Sequence, residues 1–394
     1  MKTPAPSLRL LIALAFVNFV VGAGAFAPIA LLAPLAQKLS LSKAEAGWVM
    51  GAYALAYALT SPTLIASTGA LRRRTVLLTG IAVFVFANVA TAYATNATML
   101  YAARVAAAVG AGVVTPVAAA VAVATASPDQ RGKALSIVFT GMTVAQVVGV
   151  PGAAMIGYSF GVETAFLVAA GLSALAFVST ALATPGDVPF QPQSLAVLGR
   201  TLMSPRHLLA VLVTVTITTS GYLGMTFMGP LAEYRLGMGR DGVALVLAAG
   251  GVGGFLGNIV AGRATDRLGP GRALLLCLVG QCVLSPAMTL IPFNLAGGLA
   301  LNFVWSAFGW GFTVPQQARL MALDANTQGV MLALNAAGIY LGSGIGSSIA
   351  GAVYEHWGIE ATGVVGGLIA AVGVAHLLYS ESFSRISVAR EKSL

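Results

Sequence analysis

The chain has 394 residues, of which 58% are hydrophobic and 8% charged, and its formal net charge is +9. A soluble domain carries about 25% charged residues, so a water-soluble fold of this composition would expose large apolar patches. The positive charge sits at the ends of apolar runs and forms no stripe with interleaved aromatics, which excludes nucleic acid as the expected partner and leaves the lipid bilayer.

A spanning helix needs roughly 20 apolar residues. The apolar runs predict twelve, near residues 8–35, 45–66, 74–94, 97–126, 133–157, 161–183, 206–232, 241–262, 273–291, 295–321, 329–353 and 360–380. The first run follows Lys2 and Arg9; it is too long for a signal-peptide core and is expected to stay as the first span. An even span count puts both termini on one side. Lys2, Arg9, Arg72, Arg73, Arg74, Arg131, Lys133, Arg200, Arg206, Arg263, Arg267, Arg272, Arg319, Arg385, Arg390 and Lys392 fall on that side, against Lys38, Lys43, Arg235 and Arg240 on the other. Cytoplasmic loops hold the excess of Lys and Arg. Both termini are therefore expected in the cytoplasm of a bacterial-type inner membrane.

The longest polar break is 184–205, with Pro185, Gly186, Pro189, Pro192 and Ser194. It predicts an N-terminal six-helix bundle (1–183), a cytoplasmic linker (184–205), and a C-terminal six-helix bundle with a short tail (206–394). The halves echo one another. Ser67-Thr-Gly-Ala-Leu-Arg-Arg-Arg74 follows the second span and Ala264-Thr-Asp-Arg-Leu-Gly-Pro-Gly-Arg272 follows the eighth, with Leu71 and Leu268 197 positions apart. Two repeats of half the chain are the architecture of transporters whose bundles rock about a central site.

Three stretches carry a resemblance to a known family. The first is that loop echo: Gly262, Asp266, Arg267, Gly269 and Arg272 in the second copy, and a degenerate first copy with Gly69, Ala70, Arg72, Arg73 and Arg74. The second is Arg104 in Leu100-x-x-x-Arg104, followed by Gly110 and Gly112 in the fourth span. The third is the fifth span, with Gly141, Gly149, Pro151, Gly152 and Gly157. In these the chain resembles the major facilitator superfamily, and more closely its drug:proton antiporter group in the arabinose-efflux or sugar-efflux-like branch. The resemblance implies an all-α membrane protein of twelve helices in two pseudo-symmetric six-helix bundles.

It also implies roles. Arg72, Arg73, Arg74, Gly262, Asp266 and Arg267 would latch the bundles at the cytoplasmic face, or serve only as topology charge. Arg104 would face the cavity and couple to protons, or snorkel to the nearby interface. Gly141, Gly149, Pro151 and Gly152 would govern conformational exchange, or only close packing. Spans 1, 4, 7 and 10 line the cavity of that fold. They make Asn18, Phe26, Arg104, Thr218, Tyr222, Met225, Asn302, Trp305, Trp310 and Gln316 substrate candidates, joined by Tyr53, Tyr57, Met142, Gln146, Asn335 and Tyr340 from neighbouring spans. Aromatic and Met side chains make an adaptable apolar wall that suits a neutral or weakly polar ligand.

One departure stands out. Many exporters of this group have a carboxylate in span one just before a Phe; here Ala25 precedes Phe26. No Asp or Glu lies deep in a predicted span, where proton carriage would normally use an embedded carboxylate or His. Glu233, at the end of span seven, is the first carboxylate to test for coupling. The family implies a secondary transporter that exports a small molecule (drug-like, sugar or nucleoside-like) by proton antiport. The missing acid keeps open an uncoupled facilitator or importer of a small neutral or anionic solute. No P-loop, metal cluster or catalytic constellation is present, so neither an enzyme nor a cofactor is expected. Cys277 and Cys282 form no disulfide framework. The fold usually works as a monomer.

Overall fold

In a bilayer the backbone must bond to itself, so apolar runs become helices. The computed structural model describes residues 7–69, 71–127, 130–186, 188, 195–237, 239–324 and 327–391, and among them every regular element is helical. Among the described residues, twelve helices are long and apolar enough to cross a membrane: α1 (Leu8–Leu39), α2 (Lys43–Ser67), α3 (Arg73–Ala92), α4 (Ala97–Thr125), α5 (Arg131–Phe160), α6 (Val162–Ala183), α7 (Pro205–Tyr234), α8 (Asp241–Leu268), α9 (Pro270–Leu290), α10 (Leu295–Met321), α11 (Gln328–Trp357) and α12 (Ile359–Ser384). A short helix, Leu195–Met203, precedes α7 where the sequence predicts only a linker. Pro189, Pro192 and Ser194 of that linker, with Lys2, Ala70 and Lys392, lie outside the described residues.

Helix ends follow local chemistry. Ser42 and Glu45 form a capping box at the start of α2, through Glu45 N–H to Ser42 Oγ (3.2 Å) and Ser42 N–H to Glu45 Oε2 (2.8 Å). Asn96 caps α4 and Asn294 caps α10, each accepting a backbone N–H at 2.9 Å. In the second copy of the loop echo, Asp266 and Arg267, expected on a loop, lie instead in the last turn of α8, which continues to Leu268. What stops it is Gly269 (φ 84°), with Pro270 opening α9. Polar residues at a membrane edge do not end a helix; a residue that leaves helical φ/ψ does.

The two halves repeat in three dimensions. In the first half α1 packs on α5 and α6, α2 and α3 on α4, and α3 on α6. Each pairing recurs six helices later: α7 on α11 and α12, α8 and α9 on α10, and α9 on α12. The repeat extends to the turns. Gly161 (φ 91°, ψ 156°) joins α5 to α6 and Gly358 (φ 88°, ψ 167°) joins α11 to α12, 197 residues apart. That backbone region belongs to glycine, and other residues held there cost about 1–3 kcal/mol. Gly358→Ala is therefore expected to lower the thermal midpoint of the purified protein. Gly132→Ala, where an added Cβ meets nothing within 4 Å, should leave it level or higher.

Between bundles, α2 packs on α11 and α5 on α8, with lesser contact of α1 on α7. Glycines make the approach possible. A Cβ on Gly47 of α2 would lie 2.6 Å from Ser347 O and 2.8 Å from Gly351 Cα of α11. One on Gly251 of α8 would lie 2.7 Å from Gln146 O of α5. One on Gly229 of α7 would lie 2.8 Å from Ile29 O of α1. These contacts gather in the half of the protein opposite the chain termini, called the sealed end below. The first part of α5 (Arg131–Val144) and the last part of α10 (Thr313–Met321), both in the termini-side half, pack chiefly within their own bundles.

Candidate functional site

Prolines shape the helices around the centre. Proline has no N–H, so the carbonyl four residues earlier loses its partner. Pro315 releases Gly311 O, and α10 breaks there into Leu295–Gly311 and Thr313–Met321. Pro230 does the same to Thr226 O, and α7 breaks between Met225 and Met228. Before Pro151, α5 widens into a π turn over Ala145–Gly149. Such bulges are frequent at functional sites.

These breaks surround an inter-bundle pocket. Phe26 and Ile29 of α1, Gln146 and Val150 of α5, Met225 of α7, Leu247, Gly250 and Gly251 of α8, and Asn302, Trp305, Ser306 and Trp310 of α10 line it. Trp310 stands edge-on to Phe26 and to Tyr222, with both centroid separations 6.5 Å. Trp305 is fixed from behind by a closed ring of bonds. Its Nε1–H donates to Ser285 Oγ (3.0 Å), Ser285 Oγ donates to Gln281 Oε1 (3.2 Å), and Gln281 Nε2 donates to Trp305 O (3.0 Å). Asn302 Nδ2 bonds Val246 O at 2.7 Å. The enclosed volume of about 40 Å³ holds a few waters, against the roughly 300–1,000 Å³ of a drug-sized site.

Arg104 is fully buried, so the interface-facing alternative does not hold. Its Nη1 donates to Gly24 O (3.1 Å) and its Nη2 to Ala25 O (2.7 Å), across 80 residues of sequence. The reason lies in α1: Pro28 cannot donate to Gly24 O, and the guanidinium of α4 replaces the missing N–H. The same repair recurs at Pro116, whose released carbonyl, Gly112 O, accepts from Ser61 Oγ of α2 at 2.5 Å. The other face of Arg104 lies over the Tyr53 ring, 4.6 Å from its centroid. Tyr53 and Tyr57 of α2 meet Tyr340 of α11 across the bundle boundary, Tyr57 and Tyr340 stacked with centroids 3.6 Å apart.

The other candidates divide. Phe26, Gln146, Tyr222, Met225, Asn302, Trp305 and Trp310 come together at or around the pocket, and Tyr53, Tyr57, Arg104 and Tyr340 form the adjoining cross-bundle group. Several amides and hydroxyls make their bonds inside one bundle. Asn18 Nδ2 bonds Val138 O. Gln316 Nε2 bonds Ala210 O and Thr214 Oγ1, Thr214 donates to Asn335 Oδ1, and Thr218 donates to Thr214 O. Met142 lies against Gly22 of α1. The pocket glycines Gly250 and Gly251 and the buttress Gln281–Ser285 escaped the sequence reading. Two buried hydroxyl and amide side chains one turn apart on α9 were the available signal.

Among the gating candidates, Gly141 and Gly149 face α1, where Cβ atoms would meet Ala15 and Ala23, whereas nothing lies within 4 Å of a Cβ on Gly152. Arg73 donates to Thr68 O and Gly69 O, and Arg74 to Ala181 O (2.6 Å). Both arginines thus close helix ends within the N-terminal bundle. Arg72 is the exposed N-cap residue of α3. Asp266 and Arg267 are exposed, and Gly262 is half-buried beside Val314. Glu233 lies at the sealed end, 3.4 Å from the Tyr158 hydroxyl of the other bundle. The described residues contain no cluster of metal-ligating side chains.

A family model for the Major Facilitator Superfamily matches residues 14–335. The chain is 29% identical over 367 residues to an uncharacterised MFS-type transporter, YtbD, of Bacillus subtilis, covering 91% of this chain and 92% of that protein. It is 28% identical over 375 residues to the inner membrane transport protein YdhP of Escherichia coli, covering 93% and 94%. In three dimensions it resembles a bacterial homologue of the human lysosomal transporter Spinster in an inward-facing, unoccupied conformation. That match has a TM-score of 0.75 and 16% identity, and covers 95% and 96% of the chains. It also resembles the nucleoside transporter NupG (TM-score 0.78, 11% identity, 94% and 98% covered).

Proposed function

Because the chain belongs to the Major Facilitator Superfamily, we propose that it is a secondary transporter that carries a small molecule across the bacterial inner membrane by alternating access. The excess of Lys and Arg on the termini side favours cytoplasmic termini, and the sealed end then faces outward. The observation that carries the reading is the pocket itself. Aromatic and Met side chains from three helices, α1, α7 and α10, with three amide or hydroxyl groups, meet where two pseudo-symmetric bundles join. Such a wall suits a neutral or weakly polar ligand of drug-like, sugar or nucleoside-like size. Export by proton antiport is the direction that the glycine-rich fifth span suggests.

A second reading, an uncoupled facilitator or importer, is favoured by one specific observation. The buried guanidinium of Arg104 bonds two backbone carbonyls and lies over the Tyr53 ring, with no carboxylate bonded to it among the described residues. The deciding experiment reconstitutes the protein in liposomes with chloramphenicol, a nucleoside, arabinose and a cationic dye, with and without a pH gradient. Gradient-driven movement of one compound supports antiport, gradient-indifferent movement supports the facilitator, and a permanent cation as best substrate overturns the neutral-ligand assignment. Trp310→Ala is expected to weaken binding of the transported compound about tenfold, a large stacking surface being lost, with little change in melting. Trp305→Ala should lower melting as well, since it unties the Gln281–Ser285 ring. Equal melting losses in the two variants would remove Trp310 from the binding wall.

A further inference from the structure

The start of α2 holds a contact that its own capping does not account for. The first turn of a helix leaves backbone N–H groups without intrahelical acceptors. The Ser42–Glu45 box satisfies Glu45 N–H and the N–H of Ser42 itself. The N–H of Ala44, between them, needs an acceptor from elsewhere. It receives Glu355 Oε2 at 2.7 Å, from the last turns of α11 in the opposite bundle, 311 residues away. That length is in the charge-assisted range, and a carboxylate at a helix N-terminus also meets the positive end of the helix dipole. One residue on either side, Lys43 Nζ lies 4.5 Å from the centroid of the Tyr354 ring, again across the boundary.

The approach is set by backbone. A Cβ on Gly351 would lie 2.8 Å from Lys43 O and 2.9 Å from Ala44 O. With α11 held this close, a side chain four residues further along reaches the first turn of α2. Parting of the two helices at this end breaks the Glu355–Ala44 bond and lifts Lys43 from Tyr354 together.

We propose that Glu355 is a latch between the bundles: its carboxylate caps α2 when this end is sealed, and so sets the fraction of molecules sealed. The proposal rests on the alternating-access reading but assigns the residue no contact with substrate. Its partner is the neighbouring helix, and its strength adds to the sealed state alone.

The test follows exposure of the sealed interface. Cys277 and Cys282 are replaced by serine, and Ser348→Cys, on α11 beside Gly51 of α2, introduces one reporter thiol. In nanodiscs its reaction with a bulky, membrane-impermeant maleimide is timed. Glu355→Ala is expected to speed labelling about two- to fivefold, the scale of a lost exposed cap. Glu355→Gln, which keeps an acceptor oxygen without charge, should fall between. Glu163→Ala serves as the control. It breaks the Lys38–Glu163 pair (2.6 Å) at the same end but inside one bundle, and should leave the rate unchanged. Melting of each variant shows that the fold persists; should Glu355→Ala not fold, the Glu355→Gln rate decides. A parental rate in both Glu355 variants overturns the latch, and so does equal acceleration by Glu163→Ala, which would mean general loosening. The transport reading fails separately, if no solute moves in the liposome assay while labelling still responds to Glu355.

Discussion

Arg104→Ala is expected to destabilise the N-terminal bundle by about 2–4 kcal/mol, and Pro28→Ala to restore part of that loss. Without the guanidinium, Gly24 O is buried with no donor, an orphan that costs about 1–3 kcal/mol. Ala25 O and the Tyr53 face lose a partner as well. Alanine at position 28 returns the backbone N–H that Gly24 O lacks, so the double variant should melt above Arg104→Ala alone. Neighbouring residues that share an acceptor are expected to be non-additive in this way. Additive melting shifts, or an Arg104→Ala protein that melts like the parent, would reject the account of Arg104 as the donor that replaces Pro28. A coupling role would then be the better explanation for any lost transport.

The second large effect is expected along α5. Gly141→Val places its side chain against the Ala15 carbonyl of α1, a contact with backbone that no rotamer relieves. The cost should reach the top of the roughly 1–3 kcal/mol typical of overpacking, or pass it, and little folded protein should be recovered. Gly152→Val lies less than one turn beyond the π segment and meets nothing within 4 Å, so its yield and elution profile should match the parent. Equal losses at the two positions would mean that the glycine run acts through backbone flexibility and not through the fit of α5 to α1.

Much of this architecture is legible in the sequence because lipid makes the pattern simple: an apolar run of sufficient length has to become a helix. The half-chain echo is legible for the same reason, and the turns at Gly161 and Gly358, each followed by an apolar residue and a Glu, carry it further than the basic loops do. Span ends are less legible. The polar stretch around Asp266 reads as loop, yet the helix runs on to the glycine that breaks it.

The least legible part is which polar group answers which. Gln316 and Asn335 have the composition of ligand-binding amides, and their observed bonds fall within one bundle. Arg104 reads as a charge in search of a counter-charge, and its acceptors are carbonyls that Pro28 frees or exposes in another helix. Glu355 reads as one more acidic residue at a membrane edge. Its partner is a backbone group, and backbone groups carry no residue-type signal.

The prolines also impose an order on biosynthesis. Gly112 O is released by Pro116, but its donor, Ser61, precedes it by 51 residues and is already in place when α4 arrives. Gly24 O has the opposite history, because Arg104 follows it by 80 residues. At ribosomal speeds of about 5–20 residues per second, α1 passes roughly 4–16 s with an unanswered carbonyl before the guanidinium can reach it. Through that interval the first helix depends on water or on the insertion machinery. The N-terminal bundle can close around α1 only after the fourth helix has been made.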